Sequence, residues 1–261
     1  MKQALRALRL NTVCEQAMCP NIGECFSRKV ATFLILGKNC TRSCSFCNIQ
    51  KAKPLPVDAD EPERVTQAVG LLGLEHVVIT SVTRDDLVDG GSSIFADTVK
   101  LIRQRFPRVS VEVLIPDFGF SLDALKIIVS SAPQIIAHNL ETVPSLYKTV
   151  RQGADYTGSL DLLRALKKIS PQLKTKSGLM LGLGEKQDEV LAVMRDLRSA
   201  GCDLLSIGQY LSPSQKHYPV KDYISLEQFA DYEKKAKQLG FSHIECGPYV
   251  RSSYMAADYL S

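Results

Sequence analysis

The chain has 261 residues, 45% hydrophobic and 23% charged, which is enough apolar content for one large buried core and too balanced for disorder. Its 32 basic and 28 acidic residues leave a formal charge of +4, and its longest uncharged apolar runs, such as Val30 to Gly37, fall short of the roughly 20 residues a membrane helix needs. No nucleic-acid or membrane partner is therefore expected, and with no apolar core or small-residue cleavage site behind Lys2, Arg6 and Arg9 the chain reads as cytoplasmic.

In chain order, residues 1–30 read as an extension that carries Cys14, Cys19 and Cys25 ahead of a first strand, Thr32 to Leu36. A second triplet, Cys40, Cys44 and Cys47, follows that strand directly, and Lys51 to Pro62, with three prolines, reads as a linker. Apolar runs bounded by turn signals then alternate with amphipathic stretches. The further strands are His76 to Thr80, Ser110 to Leu114, Gln134 to His138, Lys176 to Leu181 and Leu204 to Ile207. The helices are Pro62 to Leu72, Ser92 to Phe106, Ser121 to Ser131, Ser159 to Ile169 and Asp188 to Ala200, and a last helix, Leu226 to Gln238, precedes a short strand, His243 to Cys246. Ser121 and Ser159 are the expected N-caps, and Gly73 and Gly201 the expected C-terminal stops.

Six βα repeats are fewer than the eight of a closed barrel, and right-handed crossovers then favour a curved, partly open one. The expected fold class is α/β, a partial (β/α)6 TIM-like barrel at 31–246, with an N-terminal extension at 1–30 and a C-terminal segment at 247–261. Function in such barrels gathers at the carboxyl ends of the strands. Cys40 to Cys47, Arg84 to Asp86, and Asn139 with Glu141 all fall there.

Six of the eight cysteines lie between positions 14 and 47. In a large chain from a reducing compartment, clustered thiols point to metal more than to disulfides. Structural zinc wants four closed ligands and each triplet has three, so a zinc reading needs a distant fourth residue. Thiolates equally suit iron–sulfur clusters, where a cubane usually takes four cysteines. Three leave one iron open or held from elsewhere in the chain, and an open iron can bind a substrate or a cofactor.

Cys40-x3-Cys44-x2-Cys47, with Phe46 before the last cysteine and Ala-Thr-Phe-Leu-Ile-Leu-Gly upstream, resembles the signature of radical S-adenosylmethionine enzymes. The triplet in Val-Cys-Glu-Gln-Ala-Met-Cys-Pro-Asn-Ile-Gly-Glu-Cys-Phe, together with Arg251-Ser252-Ser253-Tyr254, resembles one family among them, the lipoyl synthases. The likeness continues through Thr80 to Leu87, Asp89 to Gly91, His138 to Thr142, Lys176 to Gly182 and Gly208 to Leu211.

This resemblance implies a barrel of the radical S-adenosylmethionine type with two [4Fe-4S] clusters. Cys40, Cys44 and Cys47 would hold one, whose open iron chelates the methionine end of S-adenosylmethionine. Cys14, Cys19 and Cys25 would hold an auxiliary cluster closed by Ser253, with Ser252 the alternative. Arg84, Asp85, Asp86, Asn139 and Glu141 would contact the cofactor, the carboxylates accepting from its hydroxyl and ammonium groups. Read without the family, the acids are solvated side chains and Arg84 pairs with Asp85. Leu179, Leu181 and Ile207 are candidates to line an apolar channel. Cys202, Cys246, His138, His217 and His243 read as structural, and Asp89 to Gly91 as a turn.

The implied reaction inserts sulfur at C6 and C8 of an octanoyl chain on a lysine of a lipoyl-carrier domain. Reductive cleavage of S-adenosylmethionine would supply a 5′-deoxyadenosyl radical, and the auxiliary cluster would donate the sulfur. An electron donor such as ferredoxin or flavodoxin is the other implied partner.

Overall fold

The computed structural model describes residues 2–254, 256 and 259, and divides the chain into two compact units. The first comprises Met1–Thr41 and Ile49–Ile136, the second Arg42–Asn48 and Ala137–Ser261. Of the expected C-terminal segment, residues 255, 257, 258, 260 and 261 lie outside the described residues.

The first unit opens with α1 (Lys2–Ala7), β1 (Asn11–Thr12), α2 (Val13–Gln16) and α3 (Ile22–Ser27). It continues with β2 (Val30–Ile35), β3 (Asn39–Cys40), β4 (Gln50–Lys51), α4 (Glu61–Leu72), β5 (His76–Ser81), α5 (Ser92–Arg105), β6 (Ser110–Leu114) and α6 (Leu122–Ser130). Five of the six β2 residues are buried, as expected of a parallel strand covered on both faces. β2 pairs in parallel with β5, and β5 with β6. Sequence reading carried β2 through Leu36. The strand instead stops at Ile35, because Leu36 takes a left-handed backbone (φ +66°) that no ladder can continue. On the outer side of β2, Asn11 and Thr12 pair antiparallel with Leu34 and Phe33, so the N-terminal segment adds a strand to the sheet. A two-residue strand has no period to detect, and sequence reading missed it.

β7 (Ile135–Ala137) runs from the first unit into the second. Just before it the Gln134 N–H donates to the Val111 carbonyl, and just after it the His138 N–H donates to Lys176. The second unit continues with α7 (Tyr147–Val150), α8 (Tyr156–Ile169), β8 (Lys174–Leu181), α9 (Gln187–Ser199), β9 (Leu204–Gln209), α10 (Leu226–Gln238) and β10 (His243–Gly247). β8, β9 and β10 are parallel neighbours.

Caps explain where the helices begin. The Ser121 hydroxyl accepts from the Ala124 N–H, as expected of an N-cap. Ser159 does not cap α8. The helix starts one turn earlier, where the Asp155 carboxylate accepts from the Gly158 N–H, and Ser159 sits buried inside it, donating to the Asp155 carbonyl and bonded to His138. Gly73 ends α4 in the left-handed conformation, φ +59°.

Candidate functional site

The N-terminal triplet is built by two short helices. Thr12 caps α2 by accepting from Glu15, which places Cys14 in the first turn, and the Cys19 N–H returns to the Cys14 carbonyl. Cys25 follows in α3, its N–H on the Asn21 carbonyl. Burial pushes the Cys14 thiol up, against hydrogen bonding from Thr32, and pushes Cys25 up to about 11 with repulsion from Cys14 and Cys19 added. Mutual repulsion among the three marks them as neighbours, and a metal cluster that takes thiolates would relieve it.

The second triplet lies on a loop closed at its base by a two-residue ladder, β3 on β4, with Asn39 opposite Gln50 and Cys40 opposite Lys51. The Thr83 N–H donates to Cys40 Sγ at 3.3 Å. Thr41 is held by the Thr83 carbonyl and by Asp85, its hydroxyl 2.7 Å from Oδ2. In the second unit, residues 42–45 are stitched to the stretch 149–153. Arg42 donates to Gly153, Ser43 to Gln152, and the Ser45 N–H and hydroxyl to Val150. The Cys47 N–H returns to the Cys44 carbonyl, and Phe46 packs against the buried cluster of Val150, Leu183 and Tyr210. The aromatic residue before the last cysteine thus anchors the loop in apolar surroundings.

After β7, Asn139 Nδ2 donates to Glu141 Oε1 at 3.1 Å. Glu141 takes φ +67°, and its N–H and carbonyl bond to Gly178 and Met180. Burial raises the Glu141 carboxyl, while the Arg151 charge and the Asn139 hydrogen bond hold it down. Asn139 Oδ1 is buried without a hydrogen-bond partner. An orphaned acceptor beside a carboxylate carried on strained backbone fits a ligand that brings N–H or O–H donors.

A Cβ added at Gly178 would meet Asn139 Oδ1 and Ser206 Oγ, each at 2.9 Å. Strand alternation therefore puts Leu179, Leu181 and Ile207 on the opposite face from this polar layer.

While Asp85 accepts from the Thr41 hydroxyl, Arg84 pairs with Asp86. Its Nε and Nη2 each lie 2.8 Å from a carboxylate oxygen, which holds Asp86 below the usual carboxylate range. Asp89 caps the entry to α5. Although burial opposes it, hydrogen bonds from Ser93 and Gly91 hold its carboxyl low.

At the far end of the second unit the Tyr254 N–H donates to the Arg251 carbonyl, making Ser252 and Ser253 the central residues of a tight turn. A Cβ on Gly208 would lie 2.1 Å from the Val250 carbonyl oxygen, so only glycine lets this segment lie against β9. Cys202 and Cys246 are engaged with backbone carbonyls, and burial pushes each thiol up to about 12, in keeping with structural roles.

None of the eight cysteines is in a disulfide. Among the described residues no three His, Cys, Asp or Glu side chains converge on a single ion. The donor sets suit cubane clusters, which spread their thiolates around several irons, better than a lone zinc. Residues 34–208 match the model of the Radical SAM superfamily. A lipoyl synthase of Geobacter sp. (strain M21) is 58% identical over the whole chain, which spans 89% of that relative. One from Alkaliphilus metalliredigens is 54% identical, again over the whole chain and 90% of the relative.

The chain belongs to the lipoyl synthase family.

Among solved structures, Streptococcus suis SuiB bound to S-adenosylmethionine aligns with a TM-score of 0.60 at 11% identity, covering 91% of this chain and 51% of that one. Coproporphyrinogen III oxidase from Escherichia coli aligns with 0.57 at 15%, covering 81% and 53%. At such identities the likeness is one of fold, and it gives this lipoyl synthase family member the expected α/β, TIM-like partial barrel of radical S-adenosylmethionine enzymes. Sequence reading missed two residues that hold the loop, Thr83 and Thr41, because a backbone donor and a threonine hydroxyl leave no mark in spacing. Among the described residues no helix is long and apolar enough to cross a membrane.

Proposed function

We propose that the two cysteine triplets serve two [4Fe-4S] clusters with separate tasks in the family's reaction, the conversion of a carrier-bound octanoyl group to lipoyl. Cys40, Cys44 and Cys47 hold the first, with one iron left for the methionine end of S-adenosylmethionine. Cys14, Cys19 and Cys25 hold the second, and Ser253 completes it. The observation that carries this reading is the presence of two separate sets of three cysteines outside any disulfide, one on a ladder-closed loop and one on two short helices and the turn between them. When bound, these groups supply the radical that cleaves unactivated C–H bonds and the sulfur that replaces them, chemistry no side chain provides.

The protein's own part is positioning. Asn139, through its unpartnered Oδ1, and Glu141 receive the donors of S-adenosylmethionine, while Arg84, Asp85 and Asp86 act on it mainly through the loop that they brace. The substrate is an octanoyl-lysine on a lipoyl-carrier domain, and a small electron-transfer protein such as ferredoxin or flavodoxin reduces the clusters. A serine oxygen is a harder donor than thiolate and makes the weakest corner of the cage, which suits a cluster that gives up its sulfur.

Two cubanes require about eight irons per chain after anaerobic reconstitution, and replacing either triplet by alanines should remove about half. Full iron in either triple variant would contradict the assignment. Ser253→Ala is expected to change the spectroscopic signature of the auxiliary cluster while leaving the other intact. An unchanged signature would move the fourth ligand to Ser252 or elsewhere.

A further inference from the structure

Between β2 and β3 the chain turns through two consecutive left-handed residues, Leu36 at φ +66° and Gly37 at φ +92°. Glycine adopts this region freely and leucine does not. Leu36 therefore needs an external hold, and buried charges grip both its backbone polar groups. Its N–H donates to Glu61 Oε2 at 2.7 Å, and its carbonyl accepts from Arg84 Nη1 at 3.3 Å. Glu61 is 5% exposed and Arg84 3%. The Gly37 N–H also turns toward the Glu61 carboxylate. Two adjacent N–H groups on left-handed backbone form a small anion-binding concavity, and here a side chain fills it.

The grip is continued by neighbouring parts. The Leu36 side chain occupies space that Gly91 leaves open, where a Cβ would come within 2.3 Å of Leu36 Cδ1. Arg84 is locked by its two-point contact with Asp86. The residues on either side of Arg84 hold the other end of the turn, Thr83 through Cys40 Sγ and Asp85 through Thr41. One short segment thus fixes the start of the cluster loop at Leu36 and at Cys40.

We infer that Glu61 is a positioning residue for the Cys40 side of the loop: with Arg84 it holds Leu36 in the left-handed turn from which the loop departs, and so sets where Cys40 presents its sulfur. The inference rests on Cys40, Cys44 and Cys47 holding the radical cluster. Removing the carboxylate leaves the buried Leu36 N–H without its acceptor and lets Leu36 relax toward extended backbone, shifting Cys40 relative to the rest of the loop.

The test uses the full chain, reconstituted anaerobically, as wild type, Glu61→Gln and Glu61→Ala. Thermal stability, iron content, the electron paramagnetic resonance of the reduced cluster with and without S-adenosylmethionine, and 5′-deoxyadenosine formed per reduced cluster are measured. Glu61→Ala should lower the cleavage rate by roughly tenfold to a hundredfold, the usual range for a lost support of a metal ligand, and should alter the resonance. Glu61→Gln, which keeps one acceptor oxygen but faces the second N–H with its own amide donor, should fall between and carries the test if the alanine variant does not fold. Lower thermal stability with the resonance and the rate per cluster unchanged in the folded variants would overturn the inference, making Glu61 a core residue only. If Cys40→Ala leaves the resonance unchanged, the cluster assignment itself fails, whatever Glu61 does.

Discussion

Replacing Cys40 by alanine is expected to abolish formation of 5′-deoxyadenosine and, with it, every later step. Cys40 is one of three sulfurs on the loop closed by β3 and β4, and the Thr83 N–H already points at it. Two cysteines cannot hold a cubane with one iron open to a cofactor, and alanine offers no donor to replace the thiolate. Liquid chromatography of quenched reactions measures the product directly. Cleavage at more than a trace would move the radical site away from this loop.

Cys14→Ala should separate the two halves of the chemistry. It leaves the loop of Cys40, Cys44 and Cys47 untouched, so cleavage of S-adenosylmethionine should persist, reduced but measurable, while sulfur insertion is lost. The three N-terminal thiols are close enough to repel one another, so losing one removes a corner from the whole site. The ratio of lipoyl product to 5′-deoxyadenosine reads this split. A normal ratio would mean that the sulfur does not come from the site built by α2 and α3.

Much of this was legible in the sequence, for reasons that differ by element. β5, β6 and β9 are apolar runs between clear turn signals, and their starts were read directly. The loop of Cys40 to Cys47 was legible because metal chemistry fixes residue type and spacing at once. Ser159 misled as a cap because a serine inside a helix and one at its end look alike, while Asp155 four residues earlier has the same capping chemistry. The stretch Lys51 to Pro62 read as a linker, yet it begins on the last residue of β4, which closes the cluster loop, and it includes Glu61, beside the turn at Leu36. Arg84 was read as a cofactor contact, with a pairing to Asp85 as the plain alternative; its partner is Asp86, and Asp85 and Asp86 differ only in the direction in which the backbone aims them. The role of Ser253 came from resemblance alone, because nothing distinguishes a ligand serine from any other in a polar turn.

The most direct test of the central claim is a single anaerobic turnover experiment with the reconstituted protein, dithionite, S-adenosylmethionine and an octanoyl-lysine peptide, followed by mass spectrometry of the peptide. Gain of two sulfurs with loss of two hydrogens is the result the account predicts. An unmodified peptide beside freshly formed 5′-deoxyadenosine would contradict the assigned substrate, and absence of both products would contradict an open iron on the loop of Cys40, Cys44 and Cys47.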